Sequence, residues 1–190
     1  MQRSASRQEK DQVDSHASPI PPQRTASRDR SPRGAAVAFA GSILALGMLS
    51  AGLSFAVQPE SVGSNAPQLY PSLYPPDWVF WAVWLIIYPC WGVATWFVWR
   101  RRQEVNLRSF WRYFGLILIV NLAFLPISAL THGNPTVLTT LDATGIILLP
   151  LTAWMYGRYA RPALYWLLPM FIWGPITLAL KIWLALLNRG

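Results

Sequence analysis

Charge is scarce in this 190-residue sequence. Acidic and basic residues together make up 13% of the chain, against roughly 25% in soluble domains, while hydrophobic residues reach 53%. That balance argues against a soluble globular domain. Cysteine is nearly absent: the single Cys90 excludes an intramolecular disulfide and any multi-cysteine metal site, and reads as a small core residue. The two histidines, His16 and His132, lie too far apart in sequence to suggest a zinc centre. Neither a phosphate-binding loop nor a nucleophile with a paired base is evident, so no catalytic residue is assigned and no cofactor is required.

Tryptophan, by contrast, is abundant, with 11 residues, and the 16 bases outnumber the eight acids to give a net charge of +8. Seven of those bases precede residue 34, in a polar stretch rich in Ser, Arg, Gln and Pro. Such a composition buries too little apolar surface to offset its ordering entropy. Residues 1–34 are therefore expected to be a disordered basic tail resting near anionic lipid rather than binding a specific nucleic acid. The default membrane is that of a bacterial cell. An organelle membrane would follow if the tail were a transit peptide, against which Glu9, Asp11, Asp14 and Asp29 argue.

Five apolar stretches follow, at about residues 35–57, 78–99, 113–130, 136–156 and 163–187, within a domain spanning 35–190. Each approaches the ~20 residues that cross ~30 Å of hydrocarbon as a helix, the form that satisfies its own backbone in lipid. The expected fold is an all-α membrane protein, a five-transmembrane-helix bundle. Pro89, Pro126, Pro150, Pro169 and Pro175 fall inside these stretches and predict kinks rather than helix ends. Fourteen of the 16 bases lie in the tail, around the second-to-third connection and in the fourth-to-fifth connection. The intervening connections, 58–77 and 131–135, have none. This alternation predicts a cytoplasmic amino terminus and an outside carboxyl terminus.

The first stretch carries small residues four apart, Gly41 with Ala45, Gly47 with Ala51 and Gly52 with Ala56. They suit close packing within the bundle or across a homodimer. Two charges lie inside the stretches, where charge is costly and usually partnered. Asp142 is six residues past the start of the fourth and Lys181 six before the end of the fifth. At 1.5 Å per residue both lie about 9 Å below the same boundary, as an ion pair requires. Trp84, Tyr88 and Asn121 reach about 9, 15 and 13 Å from that boundary. An aromatic surface with an amide and a charge pair suits a flat amphipathic ligand; an aromatic belt and a packing ion pair are the structural alternatives. The base-free connection 58–77 has the length of a lid or binding loop.

The run Pro-Ser-Leu-Tyr-Pro-Pro-Asp-Trp-Val-Phe at 71–80, continued by Trp84, Tyr88, Gly92 and Trp96-Phe-Val-Trp99, resembles the translocator protein family, also called the tryptophan-rich sensory proteins (TspO/MBR). Asn121, Pro126, Asp142, Pro169, Trp173 and Asn188 extend the likeness over about residues 35–188. The resemblance implies a five-helix bundle, often dimeric, that binds tetrapyrroles such as protoporphyrin or haem, sterols and synthetic isoquinolines beneath the first loop. In bacteria it implies a stress, light or oxygen regulator acting through tetrapyrrole metabolism. By position it nominates Trp84, Asn121 and Asp142 as ligand-binding, with Tyr88 beside them; Trp78, Trp173 and Lys181 complete the candidate set.

The sequence departs from the family pattern at Phe124, where the third helix usually has Trp, and at Leu180-Lys181-Ile182, where Leu-Asn-Tyr is usual. The missing Tyr removes the family's sterol motif, although a loose sterol pattern occurs at 151–158. The leading expectation is a membrane sensor or translocator-like protein in which a tetrapyrrole stacks on Trp84, Asn121 orients it and the Lys181 ammonium meets a carboxylate. A porphyrin-degrading enzyme and a structural partner of a membrane complex are the alternatives.

Overall fold

The computed structural model describes residues 32–57 and 73–187. Among them are five helices: α1 (Pro32–Val57), α2 (Asp77–Trp99), α3 (Arg108–Leu130), α4 (Pro135–Tyr159) and α5 (Ala163–Leu187). All five are long and apolar enough to cross a membrane, and no strand occurs among the described residues. Residues 1–31 of the expected tail and residues 58–72 of the expected binding loop lie outside the described residues, as does Asn188.

Four helices are longer than the hydropathy pattern predicts: α1 takes in residues 32–34 of the expected tail, α2 gains one residue, and α3 and α4 gain the most. α3 begins at Arg108, more than a turn before residue 113, because Phe110 and Phe114 turn into the core while Arg108 and Arg112 stay at the helix end. The Asn106 side chain accepts the backbone N–H of Arg108 at 2.9 Å, satisfying a donor that the helix cannot. α4 runs to Tyr159 because Tyr156, fully buried, anchors its last turns.

The connections 131–134 and 160–162 are short, so neighbouring helices are antiparallel. At the first of them the chain leaves α3 through a left-handed pair, His132 (φ 51°) and Gly133 (φ 68°). The Gly133 N–H bonds back to the Ser128 carbonyl at 2.9 Å. Asn134 then caps α4, its side chain accepting from the N–H groups of Thr136 (3.0 Å) and Val137 (3.3 Å) ahead of Pro135 in the first turn.

The helices close into a ring in the order α1, α2, α5, α4, α3, with α2 also touching α4 across it. The α1–α2 seam depends on glycine. A Cβ at Gly92 would strike the backbone of Phe39 and Ala40, and one at Gly47 would strike the Tyr88 ring. Gly47 and Ala51 thus pack within the bundle, whereas Gly41, Ala45, Gly52 and Ala56 face outward. The exterior of the spans is largely apolar, with Leu49, Ile86, Ile119, Ile147, Tyr165 and Ile172 all exposed, as expected of surface solvated by lipid tails.

The arginine-bearing ends of the helices meet on one side of the ring, here the basic end. Its rim pairs bases with tryptophans: Arg100 lies 4.9 Å from the Trp96 ring, Arg102 3.5 Å from Trp99 and Arg158 5.4 Å from Trp154. Above this rim the core is tightly closed. Trp91, Phe110, Thr95 and Tyr156 are fully buried. The Trp91 indole donates to the Tyr156 hydroxyl at 2.9 Å, and the Thr95 and Tyr156 hydroxyls share a hydrogen bond at 2.8 Å. The Tyr113 hydroxyl bonds to the Leu148 carbonyl and to Thr152, each at 3.1 Å. Polar tips paired in this way avoid the cost of an orphaned donor in an apolar interior.

Candidate functional site in the half opposite the basic end

In the other half of the ring, aromatic and charged side chains from four helices converge. α2 runs inward from Asp77 and places Phe80, Trp84 and Tyr88 on one face through their spacing of four. The Trp84 and Tyr88 rings lie 5.1 Å apart, tilted by 32°. Phe80 meets Trp173 of α5 edge-on at 5.5 Å and Tyr74, just before α2, at 5.6 Å. Such tilted and edge-on contacts are the favoured geometries of aromatic pairs.

On α5, Trp173, Thr177 and Lys181 recur every four residues and so form one stripe. Lys181 Nζ lies 3.0 Å from Asp142 Oδ2 on α4, with both side chains nearly enclosed at 10% and 13% exposure. The ammonium also sits 3.9 Å from the centre of the Phe124 ring on α3, and the Thr139 hydroxyl donates to the Lys181 carbonyl at 3.3 Å. The equal depth inferred from the sequence is thus realised as a three-helix contact: a buried cation held by one carboxylate and one aromatic face. The Trp173 indole N–H, also buried, has no hydrogen-bond partner among the described residues.

The structure therefore brings Asp142 together with Lys181, Trp84 with Tyr88, and Trp173 with Phe80, which precedes Trp84 by one helical turn. Asn121 is half-buried on α3, one turn from Phe124. Trp78, by contrast, is 68% exposed at the start of α2, outside the enclosed cluster. Sequence reasoning missed Phe80 as part of the aromatic face and Phe124 as a partner of the lysine. The signals were present: Phe80 precedes Trp84 by four residues, and Phe124 follows Asn121 by three.

A cavity of about 70 Å³ lies beside this cluster, between α1, α2 and α3, lined by Ala51, Ser54, Phe55, Trp81, Leu125, Ser128 and Ala129. It could take one or two waters but falls well short of the 300–1,000 Å³ of ordinary ligand pockets. No group of three or more metal-ligating side chains occurs among the described residues, and Cys90 is a half-buried free thiol.

The sequence profile of the TspO/MBR family matches residues 36–186. A comparison with curated proteins finds no match.

Proposed function

Because the chain belongs to the TspO/MBR family, its profile matching residues 36–186, we propose that this integral, multi-pass membrane protein binds a tetrapyrrole in the half of the ring opposite the basic end and acts there as a sensor or translocator. Family membership supports the general class. The reading of the site rests chiefly on one observation: the aromatic pairs Phe80–Trp173 and Trp84–Tyr88 and the buried cation Lys181 lie in the same half of the ring, with Trp173 and Lys181 on one stripe of α5. A flat macrocycle takes its affinity from stacking on such a face and its orientation from a few placed polar groups. Here these are Lys181, the free Trp173 indole N–H and the Asn121 amide.

The basic end is closed by its hydrogen-bonded core, so it offers no comparable opening. The adjoining cavity of about 70 Å³ is too small for a macrocycle, so binding moves aromatic side chains or parts the α1–α3 side of the ring. Positive charge on alternate connections supports a cytoplasmic basic end, with the ligand site in the opposite leaflet.

The test is a protoporphyrin titration of the purified protein in detergent, followed by quenching of tryptophan fluorescence. Saturable micromolar quenching is expected. Trp84→Ala should weaken it about two- to tenfold, the equivalent of the ~0.5–1.5 kcal/mol of an aromatic pair. Linear quenching, identical in both proteins, would overturn the proposal.

A further inference from the structure

The Lys181–Asp142 pair has a consequence for what the site accepts. A neutral ligand can stack on Trp84 and leave the pair intact. A ligand carboxylate that reaches Lys181 must displace Asp142 from it. The displaced carboxylate would be nearly enclosed, with no second cation beside it and only the Thr177 hydroxyl as a remaining hydrogen-bond partner among the described residues. A buried carboxylate left with a single hydroxyl and no counter-ion takes up a proton instead of staying charged. We infer that the protein selects acidic amphipathic ligands by counter-ion exchange, a ligand carboxylate replacing Asp142 at Lys181 as Asp142 accepts one proton from solvent. Charge balances: the buried lysine faces one carboxylate before and after the exchange, and the negative charge that the ligand brings is cancelled by the proton that Asp142 takes up. The inference deepens the proposed tetrapyrrole site and rests on it.

Other observations support the exchange. Trp173 presents a second buried donor, without a partner among the described residues, on the same stripe of α5 as Lys181, about 12 Å along the helix. The site thus offers an acceptor-bearing ligand a cation and a free N–H on one line. Among the described residues, Asp142 is the one acid within ion-pair distance of Lys181. α1 has no ionisable side chain in this half of the ring, and α3 contributes Phe124 without a charge. α2 contributes Tyr88 within the span and the exposed Asp77 in its first turn, while His132 lies in the α3–α4 turn. The arginines of α3 and α4 lie at the basic end.

The experiment compares protoporphyrin, a diacid, with its dimethyl ester on the full-length protein in detergent between pH 6.5 and 8.5. Ordinary carboxylates are already ionised across that range. The measured quantity is the ratio of diacid to ester affinity. Uptake of one proton predicts that the ratio falls about tenfold per pH unit in the unaltered protein. Asp142→Asn, which has no proton to accept, should make it independent of pH. Should that variant fail to fold, the charge-free K181M/D142N variant is expected to give the same flat profile. A flat ratio in the unaltered protein, or a slope that survives in either variant, overturns the exchange while leaving the tetrapyrrole site standing. If neither compound binds, the proposed function itself falls, and the inference with it.

Discussion

Lys181 of α5 and Asp142 of α4 meet at 3.0 Å with scarcely any exposure, and the lysine's other near neighbour is the Phe124 ring of α3. Three helices are thereby fastened at one point. A buried pair of this kind adds little over a well-packed apolar replacement, but removing one partner strands the other. Lys181→Met and Asp142→Asn alone should each destabilise the protein by about 3 kcal/mol, and K181M/D142N together by clearly less than the sum. Thermal unfolding in detergent of all four proteins closes the cycle. Additive losses would mean that the two charges do not depend on each other.

Gly92 faces the α1 backbone with no room for a side chain, whereas Gly41 and Gly52 on α1 face open space. Gly92→Ala should therefore push α1 from α2 and lower the unfolding temperature by several degrees, in line with the ~1–3 kcal/mol of overpacking. Gly41→Ala and Gly52→Ala should be neutral or slightly stabilising, since alanine is the better helix former by ~1 kcal/mol. The three variants share one substitution chemistry, so differences in unfolding temperature report the seam alone.

The hydroxyl of Tyr156 joins Trp91 and Thr95 in the closed core. Tyr156→Phe keeps the ring among Phe110 and its neighbours but leaves the indole N–H without its acceptor. A loss of about 1–3 kcal/mol is expected, with porphyrin affinity unchanged, because this core lies toward the basic end. Unfolding and titration of the same preparation separate the two effects. A parallel loss of binding would show that the core shapes the site directly.

These contrasts also mark how far the sequence could be read. Five helices were legible because a span in lipid needs only length and apolarity, which composition displays. The meeting of Asp142 and Lys181 was legible as well, since helical rise converts sequence position into depth. Angular position was not. Hydrophobic periodicity distinguishes a buried face when the other face meets water, but here both faces are apolar. Nothing in α1 announced that Gly47 packs inside while Gly41 and Gly52 face outward, nor that Phe110 turns inward and carries α3 back to Arg108. The same blindness put Trp78 beside Trp84 in the candidate set: the residues are six apart, and the structure leaves Trp78 exposed at the helix start. The Phe124–Lys181 contact was hidden because it joins elements distant in sequence through a side chain without charge.

Orientation gives the last prediction. The arginines at 100–102 and Arg108, Arg112, Arg158 and Arg161 share one end of the ring, and the positive-inside rule predicts a cytoplasmic position for that end. Glu104, in the connection after α2, and Leu73, before it, are both exposed and stand at opposite ends of that helix. In a Cys90→Ser background, Leu73→Cys should react in intact cells with a maleimide that cannot cross the membrane. Glu104→Cys should react only after the cells are opened. The reverse pattern would put the ligand site in the cytoplasmic leaflet, so that a tetrapyrrole would be captured from inside the cell rather than from the opposite side.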